Sequence, residues 1–141
     1  MKRLALIGVL VLLSAATLAL ASASSATTGQ AVTINSQIVV GPFTGTWTAT
    51  GALADSGTLV EPSVNFVGNG QLHIERVFTG TQGTITIRIQ STLVGPGTFT
   101  GYWVVVSGTG AYANLHGEGL RAATINAGIV TETLTGDVHF D

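Results

Sequence analysis

Cysteine is absent from the 141 residues. That excludes disulfides, thiol nucleophiles, thiolate metal sites and a lipid anchor on an N-terminal cysteine. Lysine occurs once, as Lys2, and charged residues make up only 9% of the chain. Beyond residue 26 the cations are Arg76, Arg88 and Arg121, against Asp55, Glu61, Glu75, Glu118, Glu132, Asp137 and Asp141. So few cations cannot neutralise a run of phosphates, so nucleic acid and anionic membrane surfaces are excluded as partners. A helical period is missing after residue 26, and so is a G-x-S-x-G elbow. The carboxylates are too scattered to nominate a glycosidase pair.

What is present begins with a leader. Lys2 and Arg3 precede an uncharged apolar run from Leu4 to Leu13, which continues in small and apolar residues to Leu20. Small-x-small sites follow at Ala19-Leu20-Ala21, Ala21-Ser22-Ala23 and Ser24-Ser25-Ala26. That order predicts a signal peptide over residues 1–23, with cleavage as late as Ala26, and a secreted, extracytoplasmic product. Residues 24–141 are then one domain with a single core, without membrane contact once the leader is gone.

Short alternating, β-branched segments cut by glycine fill that domain. They predict eight strands at 31–40, 44–52, 57–66, 71–79, 83–93, 98–107, 117–126 and 129–140. The clearest is the fifth, where Ile85, Ile87 and Ile89 face one way and Thr84, Thr86, Arg88 and Gln90 the other. Gly68-Asn69-Gly70, Gly80-Thr81-Gln82-Gly83 and Gly95-Pro96-Gly97 suit consecutive hairpins. The fold class is therefore all-β, an eight-stranded antiparallel up-and-down barrel, because closure removes every exposed edge. An open sandwich is the second choice.

An apolar residue followed by Thr-Gly recurs at Phe43, Phe78, Phe99 and Leu134, and two of the four continue into Trp47 and Trp103. Glycine permits the sharp coiling that a small barrel needs at such points. In Gly97 to Gly119, Val104-Val105-Val106 lead through Ser107-Gly108-Thr109-Gly110 and a short Ala-Tyr-Ala-Asn-Leu turn to His116-Gly117-Glu118-Gly119. This passage resembles the allene oxide cyclase and dirigent barrels, and still more a group of bacterial secreted domains with the same ending. The resemblance implies an eight-stranded barrel with an apolar central cavity, assembled as a homodimer or homotrimer. It carries over no catalytic residue.

Gly108-Thr109-Gly110-Ala111-Tyr112-Ala113 fits a dinucleotide fingerprint, but Gly117 and Gly119 leave no room for the helix that would hold the pyrophosphate. Nucleotide and other cofactors are not expected. Each histidine has a carboxylate two positions away: His73 with Glu75, His116 with Glu118, and His139 with Asp137 and Asp141. If the last hairpin turns at Ala127-Gly128, His116 opposes His139 and Glu118 opposes Asp137. A solvated surface explains these residues better than a metal site, and no metal is expected.

Charges that break the apolar phase are more informative. Arg76 shares a face with Leu72, Ile74 and Phe78, and Glu132 with Val130, Leu134, Val138 and Phe140. The same hairpin register sets Glu132 opposite Ala123 and diagonal to Arg121, with Arg76 near. An inward charge must be partnered, so these residues form either a salt bridge that fixes register or a polar anchor for a ligand's carboxylate or carbonyl. Strand six is apolar on both faces, with Phe99, Trp103 and Val105 against Tyr102, Val104 and Val106, which predicts a subunit interface.

The function these readings favour is binding of a small apolar ligand in the lumen, with Arg76, Arg121, Glu132, Trp47 and Trp103 as candidate lining residues. Two alternatives stand beside it. One is a cyclase or isomerase-type enzyme whose cavity folds an apolar substrate. The other is a structural or surface-interaction protein with a fully packed barrel. Interior volume discriminates, since a barrel of eight strands either fills with side chains or holds one small ligand.

Overall fold

The computed structural model describes residues 28–141, so the leader expected over 1–23 lies outside the described residues. Eight strands follow one another: β1 (Gln30–Val39), β2 (Thr44–Gly51), β3 (Asp55–Gly68), β4 (Gln71–Gly80), β5 (Thr84–Gly95), β6 (Thr98–Gly108), β7 (Leu115–Asn126) and β8 (Ile129–Phe140). Each pairs antiparallel with the next, and β1 pairs with β8 from Gln30↔Val138 to Val39↔Ile129. That last ladder closes the barrel and excludes the sandwich.

Period-two alternation dictates what goes inside. Val32, Ile34, Ile38, Ile85, Ile87, Ile89, Leu134 and Val138 are buried from alternate positions of β1, β5 and β8. The threonines and glutamines between them stay on the outer wall. Two hairpins turn on residue pairs with positive φ, Asn69-Gly70 (51° and 73°) and Ala127-Gly128 (48° and 75°). This is the primed turn whose twist matches that of the flanking strands, and glycine takes its second place without a Cβ clash. The register of the last hairpin is the one read from the sequence, with His116↔His139, Glu118↔Asp137 and Ala123↔Glu132.

Alternating connections divide the barrel into two unlike ends. The β2–β3 and β6–β7 connections bring Leu53, Tyr112 and Leu115 over one end and bury them there. The segment with the dinucleotide-like glycines forms only a three-residue 3-10 turn, Gly110–Tyr112, in this cover. At the other end the four hairpins β1–β2, β3–β4, β5–β6 and β7–β8 stand around an opening.

Two tryptophans occupy the interior, and glycine makes room for them. A Cβ on Gly80 would lie 2.9 Å from Trp47 Cζ2, and one on Gly136 would lie 2.8 Å from Trp103 Cζ2. Each indole N–H reaches over the neighbouring strand to a main-chain carbonyl two strands away, Trp47 to Thr79 and Trp103 to Thr135, both at 3.2 Å. Two of the four Thr-Gly dipeptides, Thr79-Gly80 and Thr135-Gly136, are thus the seats of the tryptophans. Among the described residues no open lumen runs through the barrel: Trp47, Phe78, Ile85, Ile87, Ile89, Trp103 and Leu134 fill it, each at most 2% exposed.

Candidate functional site

Where β3, β4, β7 and β8 face one another inside the barrel, four ionisable side chains meet. Arg76 projects inward from β4 and is fully buried. It holds Glu132 with both terminal nitrogens, Nη1 to Oε1 and Nη2 to Oε2, the latter at 3.2 Å. Its Nε donates to Glu61 Oε1 at 3.1 Å. Arg121, inward on β7, donates from Nε to Glu132 Oε2 and from Nη1 to Ser91 Oγ at 2.6 Å. Phe78 lies 5.6 Å below the Arg76 guanidinium and Phe99 6.0 Å from that of Arg121, adding cation–π contact.

The cluster is neutral, with Arg76 and Arg121 against Glu61 and Glu132. Neutrality is what makes burial tolerable, because an unpaired interior charge costs several kcal/mol. Burial opposes the charge on Glu132, but the two guanidiniums outweigh it and hold the carboxyl below its ordinary range. Burial likewise opposes the charge on Arg76, and Glu132 and Glu61 outweigh it in turn.

Arg76, Arg121 and Glu132 therefore come together as the off-pattern charges suggested, while Trp47 and Trp103 do not join them. The tryptophans are part of the packing, with their only polar atoms bonded to Thr79 and Thr135. Glu61 and Ser91 belong to the cluster and were not anticipated. Glu61 was legible in principle: Asp55, Gly57 and Leu59 precede it in the inward phase of β3. A register shift between Val60 and Ser63 then breaks the alternation at Pro62 and hides the pattern.

Of the cluster, Arg121 and Glu61 line the recess at the end of the barrel. They stand at the base of an apolar cup of about 230 Å³ at the hairpin-ringed end, whose walls include Ile38, Phe43, Leu72, Phe99, Ile125 and Val130. Arg121 Nη2 has no hydrogen-bond partner among the described residues, whereas its Nε and Nη1 are taken. Larger depressions of about 670 and 650 Å³ flank Tyr102 and Leu120 on the outer wall, but they are open grooves.

A second polar knot fastens the covered end. Asp55 accepts from Ser56 N (2.8 Å), Thr81 N (3.0 Å), Thr81 Oγ1 (2.7 Å), Gln82 N (3.2 Å) and Tyr112 Oη (2.7 Å). Burial would raise its pKa, but the bonds from Thr81, Tyr112 and Ser56 prevail and hold the carboxyl well below the usual range. Burial, together with the Asp55 carboxylate, pushes the Tyr112 phenol upward, so it remains a donor. This knot ties three connections together.

The histidine positions lie on the surface. His116 and His139 stack with centroids 5.3 Å apart, and Asp141 reaches both, at 2.9 Å and 3.7 Å. Among the described residues no group of three such side chains is placed to hold a metal ion. Outward from β6, Tyr102 (68% exposed), Val104 and Val106 stand bare with Leu120 of β7.

The fold and site define a class: a closed eight-stranded barrel, packed through its middle, with a neutral ionic cluster beneath a cup at one end. Set against protein-family models, curated proteins and solved structures, the chain matches none of them.

Proposed function

We propose that this barrel is an exported binding module that takes the apolar part of a small molecule into the end cup, without chemistry of its own. One observation carries the reading: Arg121, whose Nη2 has no hydrogen-bond partner among the described residues, lines an apolar recess together with the Glu61 carboxyl. A cup of about 230 Å³ falls below the range for drug-sized ligands, so it suits a short alkyl chain or single ring. Because Glu61 and Glu132 already balance both arginines, an added carboxylate would leave excess negative charge. A neutral oxygen acceptor, such as a hydroxyl or an ester carbonyl, fits the donor better.

The filled interior favours a packed barrel over the cyclase alternative. A cyclase must enclose its substrate to fold it, and this recess is shallow. Titration of the protein with octanol, followed by amide and methyl NMR, tests the proposal. Shifts confined to Ile38, Leu72, Ile125 and Val130 are the expected result, and Val130→Phe, which fills the cup, should abolish them. Absence of cup shifts at the solubility limit of octanol would overturn it.

A further inference from the structure

The four hairpin tips around the cup share an apolar, uncharged composition. They read Val39-Val40-Gly41-Pro42-Phe43, Phe66-Val67-Gly68-Asn69-Gly70, Leu93-Val94-Gly95-Pro96-Gly97 and Asn126-Ala127-Gly128-Ile129. None contains a charged residue. Phe66 is 77% exposed, Val94 57% and Val67 50%, and Val39, Val40, Leu93 and Ile129 are exposed too. Isolated apolar surface residues are ordinary, but large ones on all four tips of one end form a ring. The ring is continuous with the cup, since Val40, Phe43 and Phe66 line both.

Charge is distributed the opposite way. Asp55, His116, Glu118, Asp137, His139 and Asp141 lie at or toward the covered end. Among the described residues Arg88 is the one exposed arginine, because Arg76 and Arg121 are buried. The molecule is thus polar along its axis, greasy and neutral at one end and anionic at the other. A phase boundary between hydrocarbon and water selects that arrangement.

The wall limits how deep such contact can go. A barrel that spans a membrane carries apolar residues outward and polar residues inward. Here Thr44, Thr46, Thr48, Thr84, Thr86 and Gln90 face outward, while Ile34, Ile38, Ile85, Ile87 and Ile89 face in. Strand addition by a partner protein has no foothold, since closure leaves no free edge. A flat protein partner would meet four separate protrusions around a hole, whereas lipid is fluid and fills between them.

We infer that the hairpin rim docks end-on into the surface of a neutral, zwitterionic lipid bilayer, with Phe66, Val67, Leu93 and Val94 entering the acyl boundary and the mouth of the cup facing lipid. Such docking departs from the expectation of no membrane contact after leader removal; that expectation rested on the lack of cations, and this mode of contact uses none. It rests on the cup as the binding site and names the phase from which the cup's occupant is drawn.

Flotation of the full protein with phosphatidylcholine vesicles, at low and at molar salt, tests it. Binding that salt does not weaken is expected, because no charge pairs are involved. Phe66→Ser/Val94→Ser should lower vesicle partitioning at least tenfold without shifting the melting temperature. Tyr102→Ser/Leu120→Ser on the outer wall should leave partitioning unchanged. No flotation, or flotation retained by the rim variant, overturns the inference. So does a rim-dependent dimer by sedimentation without vesicle binding, which would make the partner a second copy. Octanol reads the cup without a bilayer, so a protein that binds octanol but not vesicles keeps the cup and loses the rim.

Discussion

Trp47 and Trp103 stand 56 positions apart and make the same bond, each indole N–H reaching a threonine carbonyl 32 residues further along at 3.2 Å. The glycine after each threonine, Gly80 or Gly136, lies flat beneath the ring. The Phe-Thr-Gly and Leu-Thr-Gly recurrences are therefore one packing device used twice, with indole area buried against bare backbone.

Gly136→Ala is expected to destabilise the fold by about 1–3 kcal/mol. Its methyl would meet Glu118 O at 2.1 Å as well as Trp103 Cζ2. Chemical denaturation measures the loss, and Trp103 fluorescence should shift with it. Gly128→Ala, at a tip with no atom near the added methyl, separates crowding from the cost of positive φ.

Glu132→Gln should cost about 3–5 kcal/mol, since it leaves two buried guanidiniums with only Glu61 between them. Replacing Arg76 and Glu132 together by Met and Leu removes one charge of each sign and should cost much less than the two single changes summed. A double-mutant cycle by calorimetry reads this coupling. Additive losses would show that the cluster does not act as a unit.

Ser91→Ala and Ser36→Ala form a matched pair. Ser91 Oγ accepts from buried Arg121, and losing it should cost about 1–3 kcal/mol. Ser36 Oγ is buried without a partner among the described residues, so its removal should be neutral within about 0.5 kcal/mol or stabilising. Urea midpoints at fixed slope decide between these outcomes.

Acid should loosen the covered end. The Asp55 carboxyl is held below its unfolded value, so its contribution is present above about pH 4 and is lost as pH falls through the folded value. Glu132 acts in the same direction. Melting temperature should therefore decline between about pH 5 and pH 2, and Asp55→Asn should start lower and decline less steeply. At the alkaline extreme Tyr112 has the opposite sign: its phenol is held above its unfolded value, so stability falls as pH rises past about 10.

Strand number, phase and closure were legible because period-two alternation runs through every segment and glycine marks every turn. The pairing of Arg121 with Glu132 was legible for a related reason. One hairpin register, read from Ala127-Gly128, put them on the same face of neighbouring strands. The expectation of an open apolar lumen is where sequence reasoning stopped short. Whether Trp47 and Trp103 line a cavity or fill it depends on distances across the barrel to Gly80 and Gly136, which no local pattern encodes. Asp55 was missed because it begins a strand, and its donors arrive from Thr81, Gln82 and Tyr112 in connections remote along the chain.

Arg76 and Glu132 hold corresponding places, each three residues before the threonine of one of the Thr-Gly seats, yet they carry opposite signs. Two copies of the first half closing on each other would set guanidinium against guanidinium where the native ring has an ion pair. The halves are thus lock and counterpart, not interchangeable tiles. The Arg76–Glu132 pair thus needs one half of each kind, β1–β4 for the guanidinium and β5–β8 for the carboxylate.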